Sequence, residues 1–271
     1  MKGSWQHEKI HQMAGRVQLA VALTACGKNT DNQNASKSND LCDQIKSKGV
    51  LLIGTEGTYP PFSFHKNGKL TGYDIDVAKE VAKRLGLKAE FKETQWDAMF
   101  AGLNSKRFDM IANQVGIRAD RQKKYDFSTP YTISKAVVLV RKDNTNIKSF
   151  ADLKGKKSAQ SLTSNYADIA KKNGANIVSV EGFNQAVQLL TSNRVDATVN
   201  DSLTYLDYKK QKPNAAIKVA ATANEASKSA FLFRKHSGKL TDKVNDALKD
   251  MKKDGTLTKI SKKWFGEDVS Q

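Results

Sequence analysis

The sequence has few of the residues on which disulfide-bonded and metal-binding proteins depend: among 271 residues there are two cysteines and four histidines. Cys26 and Cys42 cannot form a disulfide framework. No cluster of histidine, cysteine and carboxylate residues has the spacing of a metal site, so we expect no metal and no cofactor. No run reaches the roughly 18 apolar residues that a membrane-spanning helix needs.

Arginine is scarce beside lysine, although the formal net charge is +17. A protein that reads nucleic acid more often has arginine clusters with interleaved aromatic residues. Lysines spread along the whole chain instead favour solubility, or attraction to an anionic cell envelope. We therefore expect no nucleic-acid partner.

A short apolar stretch, 17–25, follows Arg16 and leads into Leu23-Thr24-Ala25-Cys26-Gly27. This segment resembles a bacterial lipobox, whose cysteine becomes the lipidated N-terminus after cleavage. The alternative is a chance apolar patch in a disordered leader. The lipobox interpretation predicts a leader at 1–25, with Cys26 lipidated, and a polar, disordered tether at 26–40. Cys42 is then expected only to fill space on the first helix.

Apolar patterns predict strands that alternate with helices, which is typical of an α/β architecture, and we expect mostly parallel pairing. Asn67-Gly68 marks a hairpin turn at 66–69. The predicted helices are 41–48, one between residues 74 and 86, and 96–104, and the predicted strands include 50–54, 88–93 and 108–113.

An internal repeat indicates two similar lobes. Residues 96–113 and 183–200 align at an offset of 87, each with an aromatic start, an apolar helix, a Ser-x-Arg-x-Asp turn and a strand ending in asparagine. Chance similarity of one helix-turn-strand unit is the alternative. Two further apolar runs, 136–141 and 230–234, each end in Arg-Lys. They bracket the intervening segment as two hinge strands would bracket an inserted lobe.

The most specific motif is Gly72-Tyr73-Asp74-Ile75-Asp76-Val77 and the helix that follows it to Gly86. Asp74 is a good candidate for the helix N-cap, and Gly86 for its C-terminal stop. The string resembles the signature of the family 3 extracellular solute-binding proteins, the amino-acid receptors of ABC importers. The resemblance implies a two-lobed periplasmic-binding-protein-like II fold with an interlobe cleft. Lobe 1 would comprise 45–139 and 235–271, and lobe 2 would comprise 140–234.

Ligands of open α/β sheets bind beyond the carboxyl ends of the strands. The repeat places Gln114 and Asp201 one residue past two such ends, where they would face each other across the cleft. A zwitterionic amino acid needs a cation for its carboxylate and an anion for its ammonium group. The resemblance implies that Arg121 binds the carboxylate and Asp201 the ammonium. A solvated helix arginine and a helix N-cap are the structural alternatives.

The loop Gln160-Ser161-Leu162-Thr163-Ser164-Asn165 follows a predicted strand and precedes a predicted helix, where backbone N–H groups form an anion site. The resemblance implies that Thr163 and Ser164 contact the ligand carboxylate, with Gln160 beside them. A simple Ser/Thr helix cap is the alternative. The family often has glycine where this chain has Leu162 and Ser164.

Tyr59 and Trp96 match the two aromatic positions that sandwich the ligand side chain in the family, although Trp96 could instead anchor the core. Glu56 matches a polar position that reads the far end of the ligand. The segments around Glu56, around Trp96 and at 112–116 look closest to the L-cystine receptors, which adds Asn113, Gln114 and Gly116 to the expected site.

These patterns favour a monomeric, lipid-anchored receptor on the outer face of the cell membrane. It would bind an amino acid, with L-cystine preferred, and dock on an ABC permease. Glutamine or arginine are alternative ligands. A dehydratase-like enzyme on the same scaffold is the competing class, and it needs a titratable group in the cleft, for which Glu56 is the candidate.

Overall fold

The computed structural model describes residues 40–271, so the expected leader, Cys26 and residues 26–39 of the expected tether lie outside the described residues. Its helices are α1 (Leu41–Lys48), α2 (Tyr73–Arg84), α3 (Trp96–Asn104), α4 (Ala119–Gln122), α5 (Asn165–Lys172), α6 (Phe183–Thr191), α7 (Ser202–Gln211), α8 (Gly238–Lys253) and α9 (Thr256–Phe265). Its strands are β1 (Val50–Thr55), β2 (Thr58–Tyr59), β3 (Ser63–Lys66), β4 (Lys69–Thr71), β5 (Lys88–Glu93), β6 (Met110–Gly116), β7 (Tyr125–Phe127), β8 (Thr132–Arg141), β9 (Lys157–Gln160), β10 (Asn176–Ser179), β11 (Thr198–Asp201) and β12 (Ile217–Arg234).

The first helix begins at an N-cap residue of the expected kind. Asp40 accepts a hydrogen bond from the backbone N–H of Cys42 at 2.8 Å, which satisfies one of the free donors of α1. Cys42 is buried on the inner face of that helix, as predicted. The predicted bounds of α1 and α3 are both confirmed.

The signature helix α2 has a different start from the one predicted. Gly72 precedes the helix with φ 137°, and a Cβ there would lie 2.1 Å from the carbonyl oxygen of Phe62, so only glycine fits. Asp74 is not the N-cap: it is the second residue of α2 and fully buried, and it accepts hydrogen bonds from Gln114. The hydrogen-bond partner of Asp74 is distant in the sequence, and a pattern within a single helix cannot reveal it. Gly86 ends the helix in the left-handed region, as predicted.

The main sheet has the strand order β11-β8-β12-β6-β1-β5, with β7 paired to β12. The expectation of mostly parallel pairing is wrong. The pairs β1–β5, β1–β6 and β9–β10 are parallel, whereas the long strand β12 pairs antiparallel with β6, β7 and β8. Antiparallel pairing arises because β12 returns the chain to the first part of the sheet after the inserted segment.

The internal repeat is present in the structure. Helices α3 and α6 are offset by 87 residues at both ends, and both end in a serine C-cap. The next residues, Lys106 and Asn193, share a left-handed backbone with φ 62° and 58°. In the turns that follow, the carboxylates of Asp109 and Asp196 each accept a backbone N–H from a neighbouring strand. The same helix-turn-strand unit is therefore built twice.

The described residues form an α/β structure with two lobes, and strands β8 and β12 pass between them. Residues 132–135 of β8 pair with 226–229 of β12. Beyond that point the two predicted hinge runs separate: 136–141 pairs with β11 and with the start of β12, whereas 230–234 pairs with β6 and β7. The two strands are the predicted ones, but their pairing favours residues 132–135 and 226–229 as the segments that connect the two lobes.

The buried side chains follow the same division. Phe231 and Phe233 belong to a cluster with Tyr73, Val77 and Leu248, which joins α2 and α8 to the sheet. A second cluster in this lobe surrounds Met99 and Phe108. The other lobe contains two clusters, built on β8, β9, β11, α5 and α6. Within residues 40–271, we find no helix of the length and apolar character required to cross a membrane.

Candidate ligand-binding site

A cavity with about 570 Å³ of empty space, including the part open to solvent, lies where the two lobes meet. Seven residues predicted for the site line it: Glu56, Tyr59, Trp96, Asn113, Gln114, Gln160 and Ser164. The predicted residues Gly116, Arg121, Thr163 and Asp201 do not line it. The lining also includes residues outside the predicted site, among them Thr58, Ser161, Asn165, Tyr166, Phe183, Thr198 and Asn200.

Among residues 40–271, Glu56 is the one ionisable carboxyl group in this lining. Its backbone N–H donates to Asn113 Oδ1 at 2.9 Å, and Asn113 Nδ2 donates back to the Glu56 carboxylate. Burial raises the pKa of Glu56 to about 7, although the hydrogen bond from Asn113 opposes the shift. Near neutral pH the cavity can therefore present either a proton donor or a negative charge at this position.

Gln114 lies within β6 rather than past its end, and its backbone is left-handed with φ 50°. Its Nε2 donates to Asp74 Oδ1 at 2.6 Å and to Thr132 Oγ1 at 3.0 Å. These two contacts use both hydrogens of the amide nitrogen. The uncommon backbone conformation places a polar residue, fixed on two sides, in the wall of the cavity.

Aromatic side chains bound the cavity from both lobes. Tyr59 donates from its hydroxyl to Asn200 Oδ1 at 3.0 Å, which joins β2 of one lobe to β11 of the other. Trp96 is buried at the start of α3, and Phe183 occupies the same place at the start of α6. These rings give a ligand apolar faces on which to pack.

Arg121 lies on α4, as predicted, and is buried. Its Nη1 donates to the carbonyl of Gly116 at 3.1 Å and its Nη2 donates to the carbonyl of Thr163 at 3.0 Å. The guanidinium also lies 5.6 Å from the ring centroid of Trp96. Burial, followed by the nearby charge of Arg118, lowers the pKa of Arg121 to about 10, so the group stays cationic at neutral pH. Arg121 and Thr163 are thus brought together beside the cavity.

The loop before α5 has the predicted form, with Ser164 as the N-cap residue: its hydroxyl accepts from Ala167 N at 3.0 Å. Thr163 does not face the cavity. Its backbone N–H and its hydroxyl both donate to Asp97 Oδ1, at 3.0 and 2.7 Å. A carboxylate of the other lobe therefore occupies the donors that were expected to bind the ligand carboxylate.

Asp201 ends β11 and caps α7 by accepting from Leu203 N at 2.8 Å. Its other oxygen accepts from the hydroxyls of Ser134 and Tyr166. The carboxylate is 1 % exposed, and burial raises its pKa. Three protein donors satisfy the Asp201 carboxylate. One of them, Tyr166, lines the cavity, whereas Asp201 itself does not.

The repeat contained a signal for two of the residues that were missed. Asn113 and Asn200 are equivalent at the offset of 87, as are Trp96 and Phe183, and all four line the cavity. The site is thus built from matching positions of two similar units. Asn165, Tyr166 and Thr198 carried no comparable signal in the sequence. Among residues 40–271, no group of three or more histidine, cysteine or carboxylate residues is placed to hold a metal ion.

The chain matches the family model of the bacterial extracellular solute-binding proteins, family 3, over residues 51–267. It is 59% identical over 255 residues to the L-cystine-binding protein TcyA of Bacillus subtilis, an alignment covering 93% of this chain and 95% of the relative.

Two solved structures show the same fold. One is the L-cystine solute receptor of Neisseria gonorrhoeae in the unliganded open conformation, with 48% identity, a TM-score of 0.57 and coverage of 84% of this chain and 98% of the receptor. The other is an ancestral arginine-binding protein bound to arginine, with 42% identity, a TM-score of 0.75 and coverage of 80% and 98%. The present structure therefore superposes better on the liganded protein, although its sequence is nearer to the open one.

Proposed function

The chain belongs to the bacterial extracellular solute-binding proteins of family 3, and we propose that it is the substrate-binding lipoprotein of an ABC importer. It captures an amino acid, with L-cystine preferred, and delivers it to a membrane permease. The observation that carries this proposal is the cavity between the lobes, whose lining combines four aromatic rings with amides from both repeats and one carboxyl group, Glu56.

L-cystine carries a carboxylate and an ammonium group at each end. Glu56 offers a negative charge for one ammonium, and the amides of Asn113 and Gln114 lie beside it. The disulfide-linked middle of the ligand is apolar and polarizable, which suits Tyr59 and Trp96. A relative that is named for L-cystine and is 59% identical supports this ligand over others.

The opposite end of the ligand is assigned to Arg121, Thr163 and Ser164 for the carboxylate and to Asp201 for the ammonium, and Gly116 remains a predicted contact of the ligand. In the structure Arg121, Thr163 and Asp201 bond to protein partners, and the N–H and hydroxyl of Thr163 must leave Asp97 before they bind the ligand. Arg121 and Thr163 already touch each other, and Arg121 lies against Trp96 in the cavity wall. A short movement of the 161–164 loop would bring this set to the ligand.

The direct test is calorimetric titration with L-cystine, L-glutamine and L-arginine. We expect L-cystine to bind more tightly than the other two. Preferential binding of arginine or glutamine would support the receptor function but would contradict L-cystine as the preferred ligand. Absence of binding to any amino acid would reject both.

Glu56 favours a second candidate, a dehydratase-like enzyme. A buried carboxyl group with a pKa of about 7 in a cavity is suited to act as a general acid. Turnover of a cyclic carboxylic acid that is abolished by Glu56→Gln would support this candidate against the receptor.

The remaining features of the proposal concern the cell surface. Cys26 carries the lipid anchor, the polar segment after it tethers the folded part, and the protein acts as a monomer outside the cell membrane. The lobes comprise the predicted segments, with the boundaries moved toward the connecting segments at 132–135 and 226–229. Metabolic labelling with a fatty acid, lost on Cys26→Ser, tests the anchor.

A further inference from the structure

Asp97 joins the start of α3 in one lobe to the loop before α5 in the other. Its Oδ2 accepts from Leu162 N at 3.2 Å, and its Oδ1 accepts from Thr163 N at 3.0 Å and from Thr163 Oγ1 at 2.7 Å. Three donors of two adjacent residues are thus directed at one carboxylate. Neither the predicted site nor the cavity lining includes Asp97.

The same loop residue is held from a second side by Arg121, whose Nη2 donates to the Thr163 carbonyl at 3.0 Å. A carboxylate and a guanidinium of one lobe therefore satisfy the backbone N–H, the hydroxyl and the carbonyl of Thr163. Under the proposed function the N–H and hydroxyl of Thr163, together with the guanidinium of Arg121, bind the α-carboxylate of the ligand. Asp97 supplies the same chemical group as the ligand, at the same donors.

We propose that Asp97 is an internal substitute for the ligand carboxylate: it holds the loop in a closed, ligand-free arrangement, and an incoming amino acid replaces it at Thr163. This inference rests on the proposed function, because it assigns Thr163 to the ligand.

Replacing the Asp97 carboxylate by the ligand carboxylate costs little free energy, because Asp97 and Thr163 are both exposed. Asp97 and Thr163 lie at the surface, so a released Asp97 carboxylate is hydrated at once. Hydrogen bonds from N–H and O–H groups to a carboxylate are of the same kind in both arrangements. Two carboxylates cannot share these donors, since like charges at such short range repel each other. A closed form without ligand lowers the apparent affinity by reducing the fraction of protein that can bind.

A matched control exists in the ion pair between Arg118 and Asp168. This pair also joins the segment before α4 to helix α5 across the lobes, but it does not involve the donors of Thr163. A contact that only supports closure should favour the ligand-bound form. Its removal should weaken ligand binding or leave it unchanged.

The experiment measures the Kd of L-cystine for the wild-type protein, Asp97→Asn and Asp168→Asn. We expect Asp97→Asn to bind about fivefold more tightly, which corresponds to one exposed charged contact, whereas Asp168→Asn binds equally or more weakly. Weaker binding by Asp97→Asn, an unchanged Kd, or the same gain in Asp168→Asn would each overturn the proposal.

A measurement without ligand separates this inference from the proposed function. Small-angle X-ray scattering of the ligand-free Asp97→Asn protein should give a larger radius of gyration than the wild type, because a contact that closes the loop is lost. An unchanged radius would contradict the proposal even if cystine binds. A wild-type protein that binds no amino acid would instead refute the proposed function, without reference to the variants.

Discussion

Asp74 directs both oxygens of its buried carboxylate at one residue, Gln114. Oδ2 accepts the backbone N–H of Gln114 at 2.8 Å and Oδ1 accepts its side-chain Nε2 at 2.6 Å. The first acidic residue of the signature helix thereby fixes a left-handed position of β6 in the cavity wall. The motif that identifies the family is thus joined directly to the candidate site.

Replacing Asp74 tests this link. Asp74→Ala removes the acceptor of the backbone N–H and of one side-chain N–H of Gln114, so we expect the free energy of unfolding to fall by about 2 to 5 kcal/mol. Asp74→Asn keeps one acceptor and should cost less. In urea denaturation, a double-mutant cycle with Gln114→Ala should be non-additive. Additive effects would mean that the two side chains are not coupled.

Phe108 packs where two glycines leave room for its ring. A Cβ on Gly102 would lie 2.7 Å from the ring, closer than real contacts allow. We expect Gly102→Ala to destabilise the protein by about 1 to 3 kcal/mol despite the better helix propensity of alanine, and Phe108→Leu to restore part of the loss. Gly238→Ala at the start of α8, where nothing lies within 4 Å, is the control and should be neutral or stabilising.

Stability of the ligand-free protein should depend on pH through its buried carboxyl groups. Burial raises the pKa values of Glu56 and Asp74 from 4.5 and 3.8 to about 7. Between those limits the folded chain binds more protons than the unfolded chain, so stability falls as the pH rises from about 4 to 7. Glu56→Gln should flatten this dependence in thermal unfolding, whereas Glu225→Gln at an exposed position should not. A dependence that is identical in both variants would contradict the assignment.

The two copies of the repeat should contribute to the site in parallel. Asn113 and Asn200 both line the cavity, so we expect Asn113→Ala and Asn200→Ala each to weaken amino-acid binding by about tenfold, the effect of one or two buried hydrogen bonds. Asn184→Ala lies on α6 outside the cavity lining and serves as the control. If Asn200→Ala leaves the Kd unchanged, the repeat does not define the site.

Patterns local in the sequence predicted the elements well. The bounds of α1 and α3 and the stop of α2 at Gly86 follow from capping and periodicity, which act within a few residues. Partners distant in the chain were predicted less well. Asp74 was expected to cap its own helix because its bond to Gln114 spans 40 residues. The antiparallel pairing of β12 depends on how the chain returns to the first lobe, and a local sequence pattern cannot predict that return.

The site shows the same limit. The resemblance to the family predicts Glu56, Trp96, Asn113 and Gln114 for the site, and all four line the cavity. The hydrogen bonds that occupy Arg121 and Thr163 could not be predicted, since they join lobes whose relative placement the sequence does not encode locally. Asn200 could have been selected, because the repeat aligns it with Asn113.

Thermal unfolding of the protein with and without L-cystine tests the central claim most directly. A ligand that binds only the folded state adds about 2.7 kcal/mol of stability at a hundredfold excess over its Kd. We predict a clear rise in the unfolding temperature with L-cystine, a smaller rise with L-glutamine or L-arginine, and a reduced rise in the Glu56→Gln variant. An unfolding temperature that no amino acid changes would contradict the assignment of this protein as an amino-acid receptor.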